Sequence, residues 1–165
     1  LPNLVKKYQV IHQTGKKHLS ETQATGEAVL INSEHKHRYK PFDYLNPLAL
    51  RMAAGVASIV VSRAGSTIFE ISAWGVPSII VPITSSNGDH QRQNAFAYAR
   101  AGACNVVEEA NLTANILISE IDRIISDAEE RERMILGAKN FYKPDASKEV
   151  AEEILKIALS HEIGK

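Results

Sequence analysis

The sequence predicts an α/β protein built on a doubly wound parallel sheet, and three observations predict it. Ala57-Ser58-Ile59-Val60-Val61-Ser62 is a compact β-branched run, the composition of a strand buried on both faces of such a sheet. Residues 76–81 repeat that pattern after a helical interval that Gly75 closes. Strand and helix signals alternate over most of the chain, as they do where crossover helices join parallel strands.

The elements follow in order. Leu1-Pro2-Asn3-Leu4-Val5-Lys6-Lys7 reads as the end of a helix that began earlier, so the sequence is expected to be a fragment of a longer chain. Tyr8-Gln9-Val10-Ile11-His12 is a short β-prone run that ends in a turn at Gln13-Thr14-Gly15. Residues 17–28 are polar with poor helical periodicity, and residues 36–42 read as a second strand with Pro41 near its end. Asn46-Pro47 starts a helix with proline in its first turn, running to about Gly55. After the strand at 57–62, Gly65-Ser66-Thr67 opens a helix carrying Ile68, Phe69, Ile71 and Trp74. The strand at 76–81 is closed by Pro82, and a polar loop at 84–88 precedes a helix from about Asp89 to Arg100. A short strand at 104–107 follows. Leu112, Ile116, Leu117, Ile121, Ile124 and Ile125 recur at helical spacing over 112–127. A charged helix covers about 128–140, and Asp145 caps a last one through Leu159.

Composition bounds the function. The 165 residues make one domain with a sizeable core, and the hydrophobic and charged fractions, 44% and 23%, are those of a soluble globular protein. Nineteen basic residues balance nineteen acidic ones, so no global field attracts nucleic acid or an anionic membrane. Cys104 is the single cysteine, which excludes an internal disulfide and fits a reducing compartment. No stretch approaches the roughly 18 apolar residues of a membrane span.

In a doubly wound sheet, ligands bind beyond the carboxyl ends of the strands. Residues 62–66 occupy that place: a strand ends, Gly65 removes a side chain, and a helix begins. Free backbone N–H groups and the helix dipole favour a phosphate there, with Ser66 and Thr67 as hydroxyl donors. Glu70 lies one turn into the helix, where a carboxylate could accept both hydroxyls of a ribose. An ordinary tight turn, with Ser66 as the cap and Glu70 solvated, fits the same residues. The segment has neither G-x-G-x-x-G nor a Walker lysine.

The second constellation is Asn87-Gly88-Asp89-His90-Gln91-Arg92-Gln93-Asn94, on the loop after the next strand and so on the same sheet edge. Amides suit sugar hydroxyls because they donate and accept at once. Gln91 and Asn94 are three apart and share a helix face. A helix start capped by Asp89 with a polar outer face accounts for the same pattern. His35-Lys36-His37-Arg38 places two histidines on one face of a strand, without a cysteine or acid at metal-ligand spacing. It reads as a solvated basic strand end. Glu129-Glu130-Arg131-Glu132-Arg133 reads as a solvated helix face with i,i+4 pairs, and Cys104 as a small core residue. No G-x-S-x-G, H-E-x-x-H or D-x-D is present, which removes the commoner hydrolases and the metal-dependent sugar transferases with that motif; no cofactor is expected.

Taken in order, these segments resemble the C-terminal half of the bacterial MurG family. The matching stretches are His12-Gln13-Thr14-Gly15, residues 57–70, Ala73-Trp74-Gly75-Val76-Pro77-Ser78, Pro82, Asp89-His90-Gln91 with Asn94-Ala95, Ala101-Gly102-Ala103 and Pro144-Asp145-Ala146. The resemblance implies a GT-B fold, of two Rossmann-like domains, with residues 1–165 as a partial C-terminal domain that binds a UDP-sugar. It implies inverting transfer of N-acetylglucosamine from UDP-GlcNAc to a lipid-linked muramoyl-pentapeptide in peptidoglycan synthesis, without a tightly bound metal. Carried over by position, Ala64, Gly65, Ser66 and Thr67 would meet the diphosphate and Glu70 the ribose. Gln91 would meet the sugar with Asn94 beside it. Phe42 would sit on the uracil side, although the spacing from there to Ala57 is longer than the family's.

The same resemblance implies an amino-terminal acceptor domain that the sequence lacks, together with the proposed base and the surface that docks at the inner face of the plasma membrane. No catalytic residue is therefore expected in this chain, and the fragment alone is expected to be inactive. The first strand of the domain, central in a doubly wound order, is also expected to be missing, leaving a strained or incomplete sheet. A donor-binding subunit of a two-subunit transferase, a UDP-sugar-binding or epimerase-like domain, and an α/β domain without a ligand remain as alternatives.

Overall fold

The structure, a computed structural model, describes residues 1–85 and 87–162. The chain forms α1 (Pro2–Lys7), β1 (Val10–Gln13), α2 (Leu19–Val29), β2 (Tyr39–Phe42), α3 (Pro47–Val56) and β3 (Val60–Ser62). It continues through α4 (Thr67–Trp74), β4 (Ser78–Ile80), α5 (His90–Arg100), β5 (Cys104–Val106), α6 (Ala114–Ser126), α7 (Ala128–Phe141) and α8 (Ala146–Glu162). Among the described residues, no helix is long and apolar enough to cross a membrane.

Every strand pair is parallel, as the alternation of strands and helices requires. The sheet is in two pieces, β1-β2 and β3-β4-β5. In the first, Val10 lies opposite Tyr39 and Gln13 opposite Phe42; in the second, Ser62 lies opposite Ile80, and Ile80 opposite Val106. Among the described residues, β1 and β3 do not pair with each other.

The division of the sheet decides which strand is buried. β4 runs between two neighbours, and its side chains alternate between two cores. Ile80 joins Ile68 and Ile71 of α4, Ala95 and Tyr98 of α5, and Cys104. Ile79 joins Ile121 and Ile124 of α6, Met134 of α7 and Val107, with Leu4 and Tyr8 against them. Helices thus cover both faces, which is the doubly wound arrangement. Each fully buried isoleucine contributes about 1.5–3 kcal/mol. The expectation that residues 57–62 form a strand buried on both faces is corrected. β3 is only three residues long and lies at an edge, and its Val61 is 43% exposed while Ile79 is fully buried.

Local signals set the helix ends. Asn46 accepts a hydrogen bond from Ala49 N at 2.9 Å and caps α3, and Pro47 supplies a ready-made φ at its first position. Thr113 and Asp127 cap α6 and α7 in the same way. Gly75 ends α4 with φ 65°, its N–H donating to Ile71 O and Ser72 O.

Three further expectations change. Lys36–Arg38 is a 3₁₀ turn, so His35 and His37 do not share a strand face. The turn forms because Arg38 is drawn to the end of α1, where NH1 donates to Val5 O and Lys6 O. Asp89 does not cap α5: it has φ 57° and makes no side-chain cap bond, and its carboxylate lies 3.9 Å from Arg92. The charged segment of α7 is not wholly solvated, because Glu130 is 15% exposed and pairs with both Arg133 and Arg123. Cys104 is a buried core residue, as its place at a strand start suggested.

Candidate functional site

The loops after β3, β4 and β5 leave the sheet on one edge because the strands are parallel. The first is the Arg63-Ala64-Gly65-Ser66 turn. Ala64 is fully buried and anchors the turn to the core, while its carbonyl accepts from Asn94 Nδ2 of α5 at 3.1 Å. Gly65 has open space within 4 Å of where a Cβ would stand, and its φ is not in the left-handed region. Neither the backbone nor the packing of this chain calls for glycine there. The turn passes into α4 with Ile68 N and Phe69 N closing on Gly65 O and Ser66 O. Ser66 makes no side-chain cap bond, so the capping role available to it is not taken up. Ahead of those two engaged groups, the N–H groups of Gly65, Ser66 and Thr67 make no hydrogen bond among the described residues.

Glu70 stands exposed in the first turn of α4, and among the described residues its side chain makes no hydrogen bond or ion pair. Gln91 is half-buried; its Oε1 accepts from Ile83 N at 3.0 Å and ties the start of α5 to the chain leaving β4. Gln91 and Asn94, three apart on α5, therefore each hold the backbone of a different loop. Phe42 ends β2, 40% exposed, at the carboxyl edge of the other sheet piece. Its carbonyl accepts from Thr14 N and Oγ1 at 2.8 and 3.0 Å. His12 Nδ1 and Tyr39 OH are 2.8 Å apart on neighbouring strands. Burial lowers the His12 pKa and raises that of Tyr39, so the imidazole is held toward its neutral form.

Two residues that the motifs did not single out belong to this edge. Glu109 Oε1 accepts from Arg63 NH2 at 2.6 Å, and Oε2 lies 3.4 Å from Thr84 N. Glu108 accepts from Arg92 NH2 at 2.7 Å. Nothing near Glu108 and Glu109 in the sequence marks them; only their place after a third parallel strand could have. Among the described residues, no group of histidine, cysteine and acidic side chains is arranged to hold a metal ion.

In doubly wound α/β domains ligands bind at the carboxyl edge, and the polar turns of this unit gather on that edge. The chain is a member of the glycosyltransferase family 28 C-terminal domain family, whose profile matches residues 1–150. It is 32% identical over 139 residues to the UDP-N-acetylglucosamine--N-acetylmuramyl-(pentapeptide) pyrophosphoryl-undecaprenol N-acetylglucosamine transferase of Halothermothrix orenii, covering 84% of this chain and 37% of that protein. The enzyme of the same name from Lactiplantibacillus plantarum is 33% identical over 161 residues, covering 94% of this chain and 43% of that one. The chain thus spans less than half the length of these relatives. Its fold matches the crystal structure of Acinetobacter baumannii MurG with a TM-score of 0.72 at 23% identity, over 94% of this chain and 44% of that one. The glycosyltransferase VinC, solved in complex with dTDP, matches with a TM-score of 0.63 at 16% identity over 96% and 37%. The fold is that of the C-terminal half of a GT-B glycosyltransferase.

Proposed function

We propose that this chain is the donor-binding domain of an N-acetylglucosaminyltransferase that holds UDP-GlcNAc for inverting transfer to a lipid-linked muramoyl-pentapeptide. The observation that carries the reading is Gly65. Gly65 stands at the carboxyl end of β3 where α4 opens, with open space where a side chain would stand, so a ligand can come against the backbone there. The relatives' printed activity supplies the chemistry of that ligand.

In this reading, the N–H groups and hydroxyls of Gly65, Ser66 and Thr67 receive the diphosphate, with Ala64 anchoring the turn beneath them. Glu70 accepts the ribose hydroxyls from its exposed position one turn on. Gln91 and Asn94 stand on the sugar side, and Phe42 on the uracil side. When the acceptor oxygen bonds to the anomeric carbon, the bond from that carbon to the UDP oxygen breaks and negative charge builds on the diphosphate. The opening of α4 stabilises that charge through aligned N–H groups, the preorganised electrostatic help that contributes most in such transfers. The acceptor site, the base that takes the acceptor's proton, and docking at the inner face of the plasma membrane are assigned to a separate amino-terminal domain.

Calorimetric titration of UDP-GlcNAc, UDP-glucose and UDP into the full-length polypeptide tests the reading. Glu70→Ala should weaken all three by about 1.5–3 kcal/mol, the worth of a hydrogen bond to a charged group. Gln91→Ala should weaken UDP-GlcNAc more than UDP. Equal affinities for wild type and Glu70→Ala would sink the ribose assignment.

A further inference from the structure

The turn after β5 carries two consecutive carboxylates, and each holds an arginine from one of the two loops assigned to the donor. Arg63, which directly precedes Ala64, donates to Glu109 at 2.6 Å through NH2 and to Val81 O at 3.3 Å through NH1. Arg92, which directly follows Gln91, donates to Glu108 at 2.7 Å. The second oxygen of Glu109 lies 3.4 Å from Thr84 N and 3.3 Å from Thr84 Oγ1. One carboxylate thus joins the exits of β3, β4 and β5.

Stability alone is a poor account of this arrangement. The Arg63 and Glu109 side chains are 46% and 35% exposed, and pairs in such water contribute little to folding. Geometry is the better account. A carboxylate with one oxygen on each of two loops fixes their separation, and charge-assisted bonds hold that geometry more firmly than neutral ones. The Arg63 side chain, followed by the backbone and hydroxyl of Thr84, draws the Glu109 carboxyl below its ordinary range. The carboxylate is therefore ionised at neutral pH.

We propose that Glu109 is a positioning residue for nucleotide binding: through Arg63 and Thr84 it sets where the Ala64-Gly65 turn stands relative to the loop after β4. The proposal rests on the donor-binding reading above. Glu109 does not touch the nucleotide; its influence reaches the diphosphate through the turn that Arg63 begins.

The test measures UDP and uridine affinities of the full-length polypeptide as wild type, Glu109→Gln, Arg63→Gln and the double variant, with a melting temperature for each. Glutamine keeps the shape of Glu109 and removes its charge. Glu109→Gln should bind UDP about fivefold more weakly, the upper range for one partly exposed pair. Its uridine affinity should not change, because the turn meets phosphate and not the nucleoside. In the Arg63→Gln background the same substitution should have no further effect, the non-additivity of residues acting as a unit. Unchanged UDP affinity in Glu109→Gln overturns the proposal. So does equal weakening for UDP and uridine with a lowered melting temperature, which marks a general structural role. Failure of the wild type to bind UDP overturns the donor-binding reading itself, and the wild-type titration separates that result from the others.

Discussion

Gly55 and Gly137 both lie inside helices, and the same substitution at each should change stability in opposite directions. In α7, a Cβ on Gly137 would stand 2.5 Å from Ala101 O, 2.6 Å from Gly102 C and 2.8 Å from Ala103 N. Ordinary carbon contacts begin near 3.5 Å, so α7 or the turn at 101–103 would have to move by about 1 Å. The obstruction is backbone leading directly into β5, and no side-chain rotation relieves it. Alanine's helix propensity would return about 1 kcal/mol over glycine. Overpacking costs about 1–3 kcal/mol or more, and a rigid obstruction puts this site at the high end. Gly137→Ala should therefore lose about 2 kcal/mol, which lowers the melting temperature by about 4–8 °C in a domain of this size. At Gly55, near the end of α3, nothing lies within 4 Å. Gly55→Ala should gain about 0.5 kcal/mol from the lower entropy of its unfolded chain. Thermal and urea unfolding of the two variants, followed by circular dichroism, reads both effects. A Gly137→Ala protein that melts at or above the wild-type temperature would refute the close approach of α7 to the turn before β5.

Other residues make further predictions. Cys104 is 5% exposed, and burial pushes its thiol up to about 12. It should resist a disulfide-exchange reagent at pH 8 in the native protein and react fully in urea; rapid native reaction would contradict the core placement. Asp122 accepts from Lys7 Nζ and Tyr8 OH, both at 2.6 Å, and ties α1 to α6. Those two bonds, that from Lys7 first, hold its carboxyl below the ordinary 3.8. The stability it contributes is complete above that ordinary value and is lost as pH falls through the lower folded one. Asp122→Asn should lower the urea midpoint at neutral pH and flatten its decline below pH 3.8, whereas a parallel curve would mean that Asp122 is unpaired in solution.

Much of the fold was legible because the deciding forces are local. Asn46-Pro47 opens α3, Gly75 closes α4, and the apolar runs around Ile79 and Ile121 carry their periods within one element. Residues 35–38 were not legible as a turn, because Arg38 is pulled there by carbonyls of α1 some thirty positions away. Asp89 was read as a cap from residue type, yet the positive φ of Gly88 and Asp89 turns the chain differently. At the candidate site, the succession of strand, Gly65 and helix could be read directly. The partners of Arg63 and Arg92 could not, since Glu109 follows Arg63 by 46 positions and carries no pattern of its own.

The sequence by itself determined the fold class, most of the strands and helices, and through its family likeness the family to which the chain belongs. Side-chain periodicity and capping act over a few residues and survive reading in one dimension. The tertiary structure decided that the sheet forms in two pieces, that β4 and not β3 is buried, and that Gly65 answers no demand of its own fold. It alone brought Glu108 and Glu109 to the two arginines. Burial and ion pairing depend on what lies opposite in space, and strands adjacent in the sheet bring together residues far apart in the chain.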